Sequence, residues 1–162
     1  MPSAMPLNMT VPLEVGIGCN DLAAMREFYE NTLGLQFVSE ARAPQPTAQA
    51  YRLARSAATV VRLQTPRGER IKLIAPEGAP APPAQPAAYV FDRANVMYLT
   101  FIISDIHAVV RRLAAAGIDC MTGDVPVTSR PGLYVAFLHD PEGNVVELVQ
   151  YDDVAAYRPD LA

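Results

Sequence analysis

The 162 residues suit a single domain or two small modules, and 51% hydrophobic against 19% charged residues excludes a disordered chain. No apolar run approaches the roughly 18 residues of a bilayer span, and Met1–Thr10 holds neither Lys, Arg nor an apolar stretch of the secretory kind. A net charge of −4 with no basic cluster and no Trp speaks against nucleic acid, and two cysteines at no metal-ligand spacing, Cys19 and Cys120, point to a cytoplasmic protein with reduced thiols.

Taken in chain order, residues 11–18 read as an apolar strand. Asn20 or Asp21 caps a helix, because a short side-chain oxygen accepts from the free N–H groups of a first turn. Leu22, Met25, Phe28, Tyr29 and Leu33 recur at helical spacing as one apolar stripe, and Gly34 ends the helix. The stretch ARAPQPTAQA is expected to be a loop, a candidate lid followed by Tyr51, Arg52 and Arg55. Strands are expected near 35–40, 58–64 and 70–75, the last two joined by a tight turn at Pro66-Arg67-Gly68. Pro76 to Pro86 holds five of the 15 prolines and reads as a stiff linker, since proline lacks an N–H and fixes φ. Beyond it come a strand at 96–103, a helix at 105–116 with Ile106, Val109, Val110 and Leu113 inward, and strands near 118–121, 132–139 and 144–150. The turn Asp140-Pro141-Glu142-Gly143 joins the last pair.

The two halves repeat. Asp21 and Asp105, 84 residues apart, align the first strands and helices, pairing Glu14 with Tyr98. TPRGERIKLI and DPEGNVVELV align at an offset of 75 and pair Lys72 with Glu147. Two segments repeating in the same order argue for a duplicated βαβββ unit. Strand side chains alternate faces. Leu13, Val15 and Ile17, and in the second half Met97, Leu99, Phe101 and Ile103, suit the helix-packed face. Glu14, Lys72, Tyr98 and Glu147 then share the opposite face at repeat-equivalent places, with Thr100 beside them. Burying such groups unpaired costs several kcal/mol, so they are expected to meet one another, water or a ligand. Arg62, facing the same way as Val60 and Gln64, is a candidate for holding a substrate carboxylate.

On NDLAAMREFYENTLGL, SDIHAVVRRLAAAGI and AFLHDPEGNVVELVQ the sequence resembles the vicinal oxygen chelate superfamily of glyoxalases, bleomycin-resistance proteins, extradiol dioxygenases and epimerases. The resemblance implies an α+β fold in which two βαβββ modules form one domain, about 11–151, around a shared cavity. Module 1 would span about 11–75 and module 2 about 94–151, with a linker at 76–93 and terminal extensions at 1–10 and 152–162. It also implies a homodimer, and in many members a divalent metal held by the first and last strand of each module. Those four places here are Glu14, Lys72, Tyr98 and Glu147, of which only Glu147 matches the usual ligand type. A protonated Lys has no acceptor for a metal, and the imidazoles that suit Zn, Ni or Fe are missing. No cofactor is therefore expected, the alternative being Mg or Mn held by Glu14 and Glu147. His107 is expected on a helix surface, and His139 to hydrogen-bond within the turn it precedes.

The polar cluster, costly to bury and unneeded by a mere apolar binder, leans towards an enzyme, and the resemblance implies a lyase, isomerase or epimerase acting on a small carbonyl compound by proton abstraction. Glu147 would be the base, Tyr98 and Lys72 would stabilise an enolate oxygen, Glu14 would complete the cluster, and Arg62 and Thr100 would bind substrate. A non-catalytic small-molecule binder of the bleomycin-resistance kind is the alternative, and a metal-dependent dioxygenase ranks third. Neither nucleic acid nor a membrane is an expected partner.

Overall fold

A computed structural model describes residues 9–78, 88–92 and 97–161, so most of the expected linker lies outside the described residues. The chain divides into two compact units, Met1–Pro82 and Pro83–Ala162.

The first unit runs β1 (Glu14–Gly18), α1 (Leu22–Arg26), a π-helical stretch (Glu27–Thr32), β2 (Gln36–Ala43), α2 (Gln45–Ala50), β3 (Ala58–Gln64) and β4 (Arg70–Pro76). Asp21 caps α1, its carboxylate accepting from the Ala24 N–H at 2.9 Å. The helix then widens. Leu33 N–H donates to Phe28 O at 2.9 Å, and Gly34 leaves it at φ 82°. Met25, Phe28 and Tyr29 are buried on this element, which packs on β4, where Ile71 and Leu73 are also buried. The sheet order is β1-β4-β3-β2, with β1 parallel to β4 and the other pairs antiparallel.

The second unit repeats the plan with β5 (Tyr98–Ile102), α3 (Ile106–Ala115), β6 (Val127–Arg130), β7 (Leu133–His139) and β8 (Val145–Tyr151) in the order β5-β8-β7-β6. Asp105 caps α3 by accepting from the Ala108 N–H at 3.2 Å. Ile106, Val110 and Leu113 are buried, whereas Val109 is half-buried. Each unit is thus the expected βαβββ, with its helix on one face of a four-stranded sheet.

Three expectations are corrected. The first strands start later than expected, because β1 and β5 take partners only from Glu14 and Tyr98 onwards. Residues 118–121 supply only an isolated bridge, Cys120 to Leu138, and the fourth strand of the second sheet is Val127–Arg130. Part of the expected loop 41–50 is the helix α2, which takes Pro46 in its first turn, where a missing N–H costs no helical bond. The C-terminal extension carries a short helix, α4 (Val154–Tyr157), capped by Asp153.

Candidate functional site

In each sheet the face away from the helix carries the polar residues. On the first sheet Lys72 lies across from Gly16 on β1 and from Arg62 on β3. Glu14 lies across from Arg70, and Arg70 from Gln64. The half-buried Glu14 carboxylate reaches Lys72 Nζ at 3.8 Å and Arg70 Nη1 at 3.7 Å. Arg70 Nε donates to Gln64 Oε1 at 2.8 Å. Among the described residues Arg62 forms no ion pair. Glu14 is the one acidic side chain that β1, β3 and β4 place on this face, against Arg62, Arg70 and Lys72. The face is therefore cationic. Gly16 keeps it low beside Lys72, since a Cβ there would stand 3.3 Å from Ile74 Cδ1.

On the second sheet the Thr100 hydroxyl donates to Glu147 Oε2 at 2.6 Å, as their cross-strand register requires. Glu147 also lies across from Phe137 on β7. The Tyr98 ring meets Phe137 edge-on with centroids 5.7 Å apart, and Phe91 at 6.3 Å. His139 shares the row of Val145 and Tyr98. Its Nε2 is buried and has no hydrogen-bond partner among the described residues, so the expectation of a bond within the turn is not met at that atom. Asp140 holds the turn instead, accepting from the Glu142 and Asn144 N–H groups. His107 packs edge-on against Tyr134 at 5.3 Å.

The structure thus brings Glu14 together with Lys72, sets Arg62 opposite Lys72, and joins Thr100 to Glu147. Arg70 is legible from strand parity as a neighbour of Lys72, whereas one residue of these faces escapes the sequence reading. Tyr151 shares the parity of Glu147 but lies one residue past the expected end of its strand. Neither cysteine suits a nucleophile. Cys19 is buried, and burial above all, then the charges of Asp119 and Asp124, pushes the Cys120 thiol pKa up.

A model of the Glyoxalase/Bleomycin resistance protein/Dioxygenase superfamily matches residues 12–148. The chain belongs to this superfamily. No curated protein matches the sequence. Among solved structures, a glyoxalase family protein from Bacillus cereus is 22% identical at TM-score 0.74, covering 91% of this chain and 99% of that one. A glyoxalase/dioxygenase from Nostoc punctiforme is 22% identical at TM-score 0.65, with 93% and 98% covered. A glyoxylase/bleomycin resistance protein/dioxygenase domain from Frankia is 16% identical at TM-score 0.63, with 92% and 93% covered. At these identities the likeness shows the fold: the two modules are those of the superfamily.

Superfamily members often use a metal ion, and the donors here do not suit one. Lys72 offers three N–H donors and no lone pair. Glu14 is already matched by two cations. Glu147 takes the Thr100 hydroxyl. Among the described residues no three His, Cys, Asp or Glu side chains are grouped to hold an ion. Nor, among them, is any helix long and apolar enough to cross a membrane.

Proposed function

We propose that the protein acts on a small carbonyl compound bearing an acidic group, removing a proton next to the carbonyl as a lyase, isomerase or epimerase. Two observations, each within its own sheet, support this reading: the cationic face of Arg62, Arg70 and Lys72 around Glu14 in the first unit, and the hydroxyl-oriented carboxylate of Glu147 on Thr100 in the second. A carboxylate in a part-buried site finds its best partner in a guanidinium, which binds it in two-pronged fashion, and Arg62 has that fork available. Lys72 supplies a compact positive charge for an oxygen that becomes an enolate. Glu14 holds Lys72 in place. Glu147 is the base. The Thr100 hydroxyl fixes one of its oxygens and leaves the other for the substrate proton. Tyr98, steadied by Phe137, donates to a substrate oxygen.

The reading calls on side chains of both modules acting as one domain over residues 11–151, in a cytoplasmic homodimer that works without Zn, Ni or Fe. The test is exchange of the α-proton in deuterated water, followed by NMR over a panel of short 2-oxo acids and their esters. The acids are expected to exchange and the esters to lag. Glu147→Gln is expected to lower the rate on the order of a hundredfold or more, the usual contribution of a positioned base. Acids that bind without exchange would establish the binding-protein alternative.

A further inference from the structure

Beyond Glu147, at the end of the second sheet, lies a cavity of about 440 Å³. Small-molecule sites commonly hold roughly 300–1,000 Å³. Its walls include Arg130 at the end of β6, Leu133 at the start of β7, Tyr151 at the end of β8, then Asp152, Asp153 and Tyr157. α4 builds one side. Asp153 caps that helix by accepting from the Ala156 N–H at 2.9 Å. Tyr157 then stacks on Tyr151, centroids 3.9 Å apart and planes 10° from parallel. On the other side Asp152 N–H donates to Gly132 O at 2.9 Å, closing the turn that carries Arg130.

The charges on this wall are unevenly used. Among the described residues Arg130 forms no ion pair. Asp153 Oδ1 accepts the cap N–H of its helix. Asp152 accepts one long hydrogen bond, from Gln150 Nε2 at 3.4 Å. One guanidinium thus stands with two carboxylates beside an apolar wall of tyrosine and leucine. A simple anion would pair with Arg130 but meet both aspartates. A simple cation would pair with Asp152 but face Arg130. A ligand carrying both signs satisfies both, and like-charge contact disfavours the other two.

We infer that this cavity binds a small zwitterion with an apolar side chain, an α-amino acid or a close derivative. Its carboxylate lies on Arg130, its ammonium on Asp152, and its side chain against Leu133 and Tyr157. The inference concerns binding at this end of the sheet and not the proton abstraction proposed above, so binding alone tests it.

The experiment is a backbone-amide NMR titration of the full chain with L-phenylalanine, 3-phenylpropionate and 2-phenylethylamine, three probes that share a ring and differ in charge. Phenylalanine is expected to shift the Gly132, Leu133, Asp152 and Ala156 amides saturably. Each single-charge analogue is expected to bind roughly two- to fivefold more weakly, the loss of one exposed charge partner. Arg130→Gln and Asp152→Asn both alter exposed side chains. Each is expected to bring phenylalanine down to the analogue that lacks the matching charge. The inference is overturned if phenylalanine gives no saturable shift, if either analogue binds as tightly, or if both variants bind phenylalanine unchanged.

Discussion

Replacing Asp140 measures how much of the second sheet depends on one turn. This carboxylate is 4% exposed. Its Oδ1 accepts from the Glu142 and Asn144 N–H groups, each at 2.9 Å, and its Oδ2 from Asn144 Nδ2 at 2.9 Å. Hydrogen bonds to a charged acceptor contribute roughly 1.5–3 kcal/mol each. They are not additive, and the part-buried turn lets water recover some of the lost donors. Asp140→Ala is therefore expected to cost about 3 kcal/mol, against roughly 1 for an average point mutation. In a chain of this size that lowers the melting point by roughly 6–12 °C. Asp140→Asn keeps the Oδ1 acceptor but sets its amide against that of Asn144, so an intermediate loss is expected. Urea unfolding followed by circular dichroism gives the size of the effect, and amide hydrogen exchange gives its place in β7 and β8. Their register also sets Phe137 across from Glu147, so the shift should spread to those amides. A loss for Asp140→Ala below about 0.5 kcal/mol, the range of an ordinary surface change, would refute the argument.

Two further outcomes follow from local geometry. Arg52 sits at φ 57°, closing α2 with Leu53 N–H on Ala48 O at 2.9 Å. A non-glycine residue there costs roughly 1–2 kcal/mol, partly offset by the freedom glycine adds to the unfolded chain; Arg52→Gly should raise the melting point, and a fall would count against the strain. The Cys120 thiol, its pKa raised chiefly by burial, holds less thiolate at any given pH than an open cysteine. Iodoacetamide should label it more slowly than a free thiol at pH 8.5, with the rate still climbing above that pH; labelling at the free rate would show the site to be open.

The fold was legible because the chain states it twice. The Asp21 and Asp105 caps, the glycines that end both helices and the two matching turns each mark the same boundary in two places. Apolar alternation then sets the faces: Ile71, Leu73, Val146 and Leu148, of the opposite parity to Lys72 and Glu147, are buried. What escaped lacked such marks. β6, Val-Thr-Ser-Arg, is exposed at every residue, so no buried side chain prints a period of two. α2 hides behind two prolines that read as loop, and Arg52 ends it where a glycine would have announced the stop. The π-helical stretch Glu27–Thr32 re-pairs the backbone after α1 while Met25, Phe28 and Tyr29 stay buried, so the apolar stripe does not betray it. The bond from Thr100 to Glu147 and the pairing of Glu14 with Arg70 depend on which residue of one strand faces which of another. Parity within a strand does not carry that information.

The parallel pairing of first strand with last has a consequence for synthesis. Glu14 must wait for Arg70, and Tyr98 for Val145, before either opening strand has a neighbour in its sheet. Emerging from the ribosome, β1 and β5 are the strands left longest without a partner, each needing a long chain segment to close before it docks. β6 and β7 meet across a tight turn, and β2 and β3 across a segment shorter than the one between β1 and β4, so these pairs can form earlier. In each unit the strand made first is thus the strand incorporated last, and a chain halted short of β4 or β8 would display it as an open edge for any other chain to join.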